Sequence, residues 1–333
     1  MKKLIDSHSR HIRYVRISIT DRCTFRCRYC MPPEGVEWLP HDMIMRYEEY
    51  IRVLNILGEQ GIDKVRITGG EPLLRRGVVE FIGELSTLGT IGDLSLTTNG
   101  MLLSAMARDL KDAGLKRVNI SIDTLDRIKF AQITRVDAYD KVRRGIESAL
   151  ECDLSPVKLN VVSIRGFNDD EIPAFVHLTL DSPVEVRFIE LMPMGCIARH
   201  GDRELISSLE IQQRIETIHG ALEPIENGLG PARMFRVPGA QGKVGLIGAM
   251  SEHSFCTSCN RIRITASGGL RPCLFSENVV DLLTPMRSGI TDAELEALII
   301  RGVMMKPLNH GICRGSQPLC SSDQASFMNS IGG

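Results

Sequence analysis

The chain has 333 residues, 43% apolar and 24% charged, values close to those of ordinary globular proteins, which excludes wholesale disorder, collagen-like repeats and a long coiled coil. Lys and Arg number 40 against 41 Asp and Glu, and a formal charge of −1 gives no global field for wrapping nucleic acid or docking on an anionic membrane. Asp6, Arg10, Arg13 and Arg16 break the N-terminal stretch before it reaches secretory length, so a cytoplasmic enzyme or regulator is expected.

From Tyr14 to about Glu190 the sequence repeats one plan, a short β-branched run followed by a longer helical stretch. The runs cover 15–20, 64–68, 93–98, 117–123, 156–162 and 183–190, which predicts six strands. Tyr47, Ile51, Leu54 and Leu57 form the stripe of an amphipathic helix between the first two. Asp169 is placed to cap the helix containing Phe175 and Leu178, and Gly61 and Gly114 sit where helices should stop. Alternating β and α units give a parallel sheet, and six units point to an incomplete (β/α)6 TIM-like barrel over 11–220. After Gly220 glycine-rich segments replace the plan, which predicts a smaller, irregular C-terminal domain over 221–333. That region closes with a helical stretch at 291–306, whose Met304 and Met305 are expected to pack.

Within each strand, apolar and polar residues alternate. Val15, Ile17 and Ile19 interleave with Arg16, Ser18 and Thr20, and the same holds around Arg66, Ser95, Asn119, Lys158 and Arg187. Strands of a packed parallel sheet are apolar on both faces. A polar face throughout therefore implies a cavity lined by Arg16, Arg66, Lys158 and Arg187 against Asp123 and Glu185, suited to a polyanion. Solvated surface strands are the alternative reading.

Ten cysteines in such a chain point to metal ligation or catalysis rather than a disulfide framework. Cys23, Cys27 and Cys30 form C-x3-C-x2-C directly after the first strand, at the rim where such folds place active sites. Zinc in structural sites takes four ligands, and this loop offers three, a donor set that leaves one iron of a four-iron cube open. The spacing alone leaves iron–sulfur, zinc and reactive thiols open. Cys256, Cys259 and Cys273 form a second triplet beside Arg261 and Arg263, readable as a cluster facing an anionic substrate or as a zinc ribbon completed by His253 or Cys313. Cys152, Cys196, Cys313 and Cys320 are scattered, and His41, His177 and His219 read as ordinary surface or helix residues.

CTFRCRYCMP at 23–32 and TGGEP at 68–72 resemble the signature and the glycine-rich segment of radical S-adenosylmethionine (SAM) enzymes. FIELMPMG at 188–195, CNRIRIT at 259–265 and the terminal glycine pair extend the resemblance to the GTP 3′,8-cyclase family of molybdenum-cofactor biosynthesis. The resemblance implies a [4Fe-4S] cluster on each cysteine triplet and SAM as cosubstrate, held by Tyr29, Gly70, Ser121 and Met192. It implies GTP contacts at Arg16, Arg66, Thr97, Lys158, Arg261, Ile262 and Arg263, a further lumen arginine at Arg187, and a tail, Gly332 and Gly333, that enters the active site. The implied reaction cleaves SAM to a 5′-deoxyadenosyl radical, which removes the 3′ hydrogen of GTP; closure onto C8 gives 3′,8-cyclo-7,8-dihydro-GTP. It also implies an external electron donor, a downstream cyclic pyranopterin monophosphate synthase acting on the product, and a homodimer among the allowed assemblies. A peptide-modifying radical enzyme with an auxiliary cluster and a non-catalytic iron–sulfur regulator are the competing readings.

Overall fold

A computed structural model describes residues 3–194, 204–226, 230–252, 254–311 and 328–332. The six expected strands are β1 (Tyr14–Ser18), β2 (Lys64–Thr68), β3 (Asp93–Thr98), β4 (Arg117–Ser121), β5 (Lys158–Ser163) and β6 (Glu185–Glu190). They are parallel neighbours in sequence order. Between them lie α1 (Tyr47–Glu59), α2 (Val78–Thr87), α3 (Leu103–Asp112), α4 (Arg127–Thr134), α5 (Tyr139–Glu151) and α6 (Ile172–Asp181). The chain is thus built on the incomplete (β/α)6 plan.

Alternation decides what each strand face does. Val15, Ile17, Val65, Ile67, Leu96, Val118, Ile120, Leu159 and Val186 are buried in one continuous apolar core shared with the helices. Each such side chain contributes about 1.5–3 kcal/mol through burial. The opposite faces align by register: Arg16 stands beside Arg66, Arg66 beside Ser95, and Asn160 beside Arg187. Gly61 and Gly114 take positive φ just beyond α1 and α3 and end those helices as expected.

Two local expectations are corrected. Asp169 does not cap α6; it lies in a preceding helical turn, where its carboxylate accepts from Gly166 N at 2.8 Å and pairs with Arg214 at 2.9 Å. The first turn of α6 instead carries a proline, which needs no N–H partner there. Met304 and Met305 are 48% and 41% exposed: in the same last turn Gly302 and Val303 take the buried face, with Gly302 against Leu270 and Val280, and the two methionines fall on the outer side.

The larger difference lies after residue 220. Instead of an irregular region, β7 (Glu223–Ile225), β8 (Arg233–Arg236) and β9 (Lys243–Ile247) extend the sheet beyond β6. On the other side β10 (Arg261–Ile264), β11 (Gly269–Arg271) and β12 (Val280–Asp281) extend it beyond β1. β9 runs parallel to β6 and β10 parallel to β1, so among the described residues eight parallel strands run side by side within a twelve-stranded sheet. α7 (Ser208–His219) packs with α6 and β6, and α8 (Asp292–Met304), started by a Thr291–Glu294 capping box, packs on α1 and β11. No helix among the described residues is long and apolar enough to cross a membrane.

Candidate active site

The loop after β1 carries the first cysteine triplet and is fixed from several directions. Arg26 N and Arg28 N donate to the carbonyls of Thr134 and Ile133, each at 2.9 Å, so the end of α4 holds the loop's middle. Arg135 donates to the carbonyls of Arg26 at 2.7 Å and Met31 at 3.0 Å, gripping the loop on both sides of Cys27 and Cys30. Phe25 packs edge-on to Phe130, with ring centroids 5.7 Å apart.

The loop after β2 crosses directly beneath. Gly70 N donates to Thr20 O and Glu71 N to Arg22 O, both at 2.7 Å. A Cβ on Gly70 would lie 2.4 Å from Arg22 O, so the crossing of the two loops itself requires glycine, independently of any ligand. Buried Glu71 accepts from Leu73 N, Thr98 Oγ1 and Asn99 N at 2.7–3.0 Å, and burial pushes its carboxyl up to about 7. Asn99 in turn donates to Thr24 Oγ1 at 2.9 Å and reaches Cys23 Sγ at 3.9 Å. The motif glutamate thereby connects to the thiol loop, a role that the spacing of TGGEP does not disclose.

Above these loops and between the polar strand faces lies a cavity of about 230 Å³. Cys23, Cys27, Cys30 and Tyr29 form one part of its wall, joined by Gly70, Ser121 and Met192. Arg16, Arg66, Arg187 and Arg263 form another, with Thr97 and Asn160. Among the described residues Asp123 is the only carboxylate in the wall against four guanidinium groups, so the lumen favours an anion. Burial and the other lumen cations lower Arg187 and Arg263 to about 10, Arg66 acting on the first and Arg261 on the second. Thr97 Oγ1 and Asn160 Oδ1 are buried without a hydrogen-bond partner among the described residues, an arrangement that a polar ligand would complete.

The thiols differ in character. Burial and neighbouring Cys27 push Cys23 up to about 12, while Cys30 and burial raise Cys27 well above the usual thiol value. A cationic centre would favour the thiolate forms of Cys23 and Cys27 against this burial, and three soft donors at a cavity rim fit an iron–sulfur group. Tyr29 donates to Asp123 at 2.6 Å, and Asp123 also accepts from Val162 N at 2.8 Å, tying the signature aromatic residue to β4 and β5. Burial nevertheless lifts Asp123 to about 6.

Cys256, Cys259 and Cys273 lie near one another outside the cavity wall, and the next residue, Leu274, lines it. Burial would raise Cys259, but Arg261 and Lys306 outweigh it and bring the thiol down to about 6. Arg261 and Arg263 share the lumen face of β10, yet only Arg263 reaches the cavity wall. The Ile262 side chain points the other way into the core. Lys158 stands behind the wall, paired with Glu185. Gly332 lies against Ser18 and Thr68 with its carbonyl on Arg263, and a Cβ there would meet Thr68 Oγ1 at 2.4 Å. Gly333, Cys196, His253, Cys313 and Cys320 lie outside the described residues, and Cys152 follows α5, away from the cavity lining. Sequence reading missed Asn99 and Met328 as wall residues. Asn160 shares a strand face with Lys158 and was legible by alternation; Met328 carries no signal before the chain is folded.

The fold and its thiol rim define a class. Residues 17–179 match the Radical SAM superfamily, and residues 184–312 match Molybdenum Cofactor Synthesis C. Similar proteins named GTP 3′,8-cyclase include one from Desulforamulus reducens, 47% identical over 92% of this chain and 95% of its own. Another from Heliobacterium modesticaldum is 46% identical over 99% and 100%, and one from Thermodesulfovibrio yellowstonii 48% over 94% and 97%. The chain belongs to the GTP 3′,8-cyclase family. At the level of fold alone, Streptococcus suis SuiB bound to S-adenosylmethionine superposes with a TM-score of 0.60 at 13% identity, covering 91% of this chain and 66% of that one. Native anSMEcpe with bound AdoMet gives 0.57 at 15% identity, covering 89% and 81%.

Proposed function

We propose that this chain converts GTP to 3′,8-cyclo-7,8-dihydro-GTP, the first step of molybdenum-cofactor biosynthesis, as a radical SAM lyase. The observation that carries the reading is one cavity whose wall joins three thiols to four arginines. Cys23, Cys27 and Cys30 would hold one [4Fe-4S] cluster, and Cys256, Cys259 and Cys273 a second. When bound, the first cluster and SAM supply one-electron C–S cleavage, chemistry that no side chain provides. The protein's part is to bind, orient and exclude water.

Arg16, Arg66, Arg263 and, behind them, Lys158 and Arg261 offset the triphosphate charge. Thr97 offers its unpartnered hydroxyl to the nucleotide, and β10 brings the Arg261–Ile262–Arg263 segment alongside β1. Tyr29, Gly70, Ser121 and Met192 would seat SAM on the thiol side, and Arg187 would act between the two ligands. Gly332 and Gly333 would complete the nucleotide side, consistent with the Gly332 carbonyl on Arg263. In this reading 11–220 is the SAM-handling unit and 221–333 the unit bearing the second cluster. The protein would work in the cytoplasm with an external reductant, a homodimer being one of the assemblies allowed, and hand its product to a cyclic pyranopterin monophosphate synthase.

Anaerobic reconstitution with iron and sulfide, followed by reductant, SAM and GTP, tests the proposal. It expects 5′-deoxyadenosine and the cyclised nucleotide in step; deoxyadenosine formed without any cyclised product overturns it.

A further inference from the structure

The second thiol set sits in a frame that nothing above explains. Arg10, only 8% exposed, spends its planar fork on four acceptors. Its Nε donates to Asp6 at 2.6 Å, its Nη1 to Cys256 O at 2.8 Å and Leu308 O at 3.1 Å, and its Nη2 to Pro307 O at 2.6 Å. Asp6 is buried and further accepts from the backbone N–H groups of His8 and Arg10, so the fork is held at its root. Lys306, 2% exposed, donates to Arg261 O at 2.8 Å and Pro272 O at 2.7 Å. The backbone N–H of His310 donates to the Cys256 sulfur.

These contacts fall at chosen places. The gripped carbonyls belong to Cys256 itself, to the residue just before Cys273, and to the residue two past Cys259. Lys306 forms no ion pair with a carboxylate among the described residues, and burying an ammonium without counter-charge is costly. Both of its described acceptors are main-chain carbonyls beside the thiol set, so the ammonium is spent on that stretch of backbone. Arg10 differs from a lysine because three separate carbonyls and one carboxylate are met by one rigid plane.

We infer that Arg10 and Lys306 are positioning residues of the second thiol set: two buried cations that clamp the main chain beside each of its three cysteines and hold the sulfurs apart for one bridging group. The inference rests on the two-cluster reading given above. It assigns a role to the segment before β1 and to the strap at 306–310 after α8, neither of which reaches the cavity.

The test uses the full chain, reconstituted anaerobically, as wild type, Arg10→Ala, Arg10→Lys, Lys306→Met and Lys306→Arg. Iron and acid-labile sulfide are counted, and the reduced proteins are examined by EPR with and without SAM. The expected result is that Arg10→Ala and Lys306→Met lose roughly half their iron and sulfide while keeping the SAM-sensitive signal of the first cluster. Lys306→Arg restores most of the loss, and Arg10→Lys restores less, because an ammonium cannot span the fork. Folded variants with wild-type iron content and both signals unchanged overturn the inference. For variants that do not fold, hydrogen exchange on the wild type decides: cluster loading should slow exchange at 3–12 and 306–310 relative to a Cys256→Ala, Cys259→Ala, Cys273→Ala protein, and equal exchange overturns it. A wild type that itself takes up only one cluster's iron defeats the two-cluster reading first, and the inference with it.

Discussion

Lys158 sits half-buried beside Glu185, and burial together with Arg187 lowers it to about 8 from an ordinary 10.5. A base whose folded value is depressed binds fewer protons in the fold than in the unfolded chain. Its contribution to stability is therefore poorest below about 8 and improves as pH rises from there toward 10.5. A bound polyphosphate has the opposite preference, because it attracts the ammonium. Nucleotide affinity should fall above about pH 8, by up to about tenfold per pH unit, and Lys158→Met should flatten that limb while weakening binding at neutral pH. Equilibrium dialysis of GTP against both proteins across pH checks this; parallel curves contradict it. Gly332 is a second residue-scale test. Its φ of 84° and the 2.4 Å approach of Thr68 Oγ1 leave no room for a side chain. Gly332→Ala, or deletion of Gly332 and Gly333, should lower cyclised product by tenfold or more in order of magnitude while SAM cleavage persists. Unchanged product would remove the tail from the mechanism.

At the scale of the element, β10 gives opposite roles to neighbouring residues. Ile262 is fully buried in the apolar core, whereas Arg263 faces the lumen among like charges. Ile262→Asp should destabilise the fold by about 3 kcal/mol or more, because its carboxylate has no partner there. Arg263→Met should leave the urea midpoint unchanged or raised, since it relieves repulsion with Arg261, while weakening GTP binding by about tenfold or more. Equal loss of stability in both would refute the two-faced strand. The first six strands were legible because each βα unit repeats an alternation that register then turns into two faces. β2 and β3 even match the expected limits, 64–68 and 93–98. β9 and β10 were not legible as continuations of the sheet. KVGLI and RIRI are short, and the choice to pair with β6 and β1 is made by edges that exist only after the first six strands have assembled.

For the whole molecule, the two cysteine triplets and the lumen cations could be read from spacing and alternation, since ligand chemistry is carried by residue type. What spacing could not convey is how the loops are held. Glu71 reaching Asn99, Arg135 gripping the first thiol loop and Arg10 gripping the second all join residues far apart in sequence. Sequence reading took Arg10 as a charge interrupting an apolar run, and it is instead a buried clamp. The three-thiol rim and the arginine wall share one cavity, so SAM and nucleotide are expected to react within a single space. GTP carrying deuterium at C3′ reports on that arrangement most directly. Anaerobic turnover with reductant and SAM should give 5′-deoxyadenosine bearing one deuterium, formed in proportion to cyclised nucleotide. Deuterium-free deoxyadenosine, appearing at the same rate whether or not the nucleotide is added, would contradict the account.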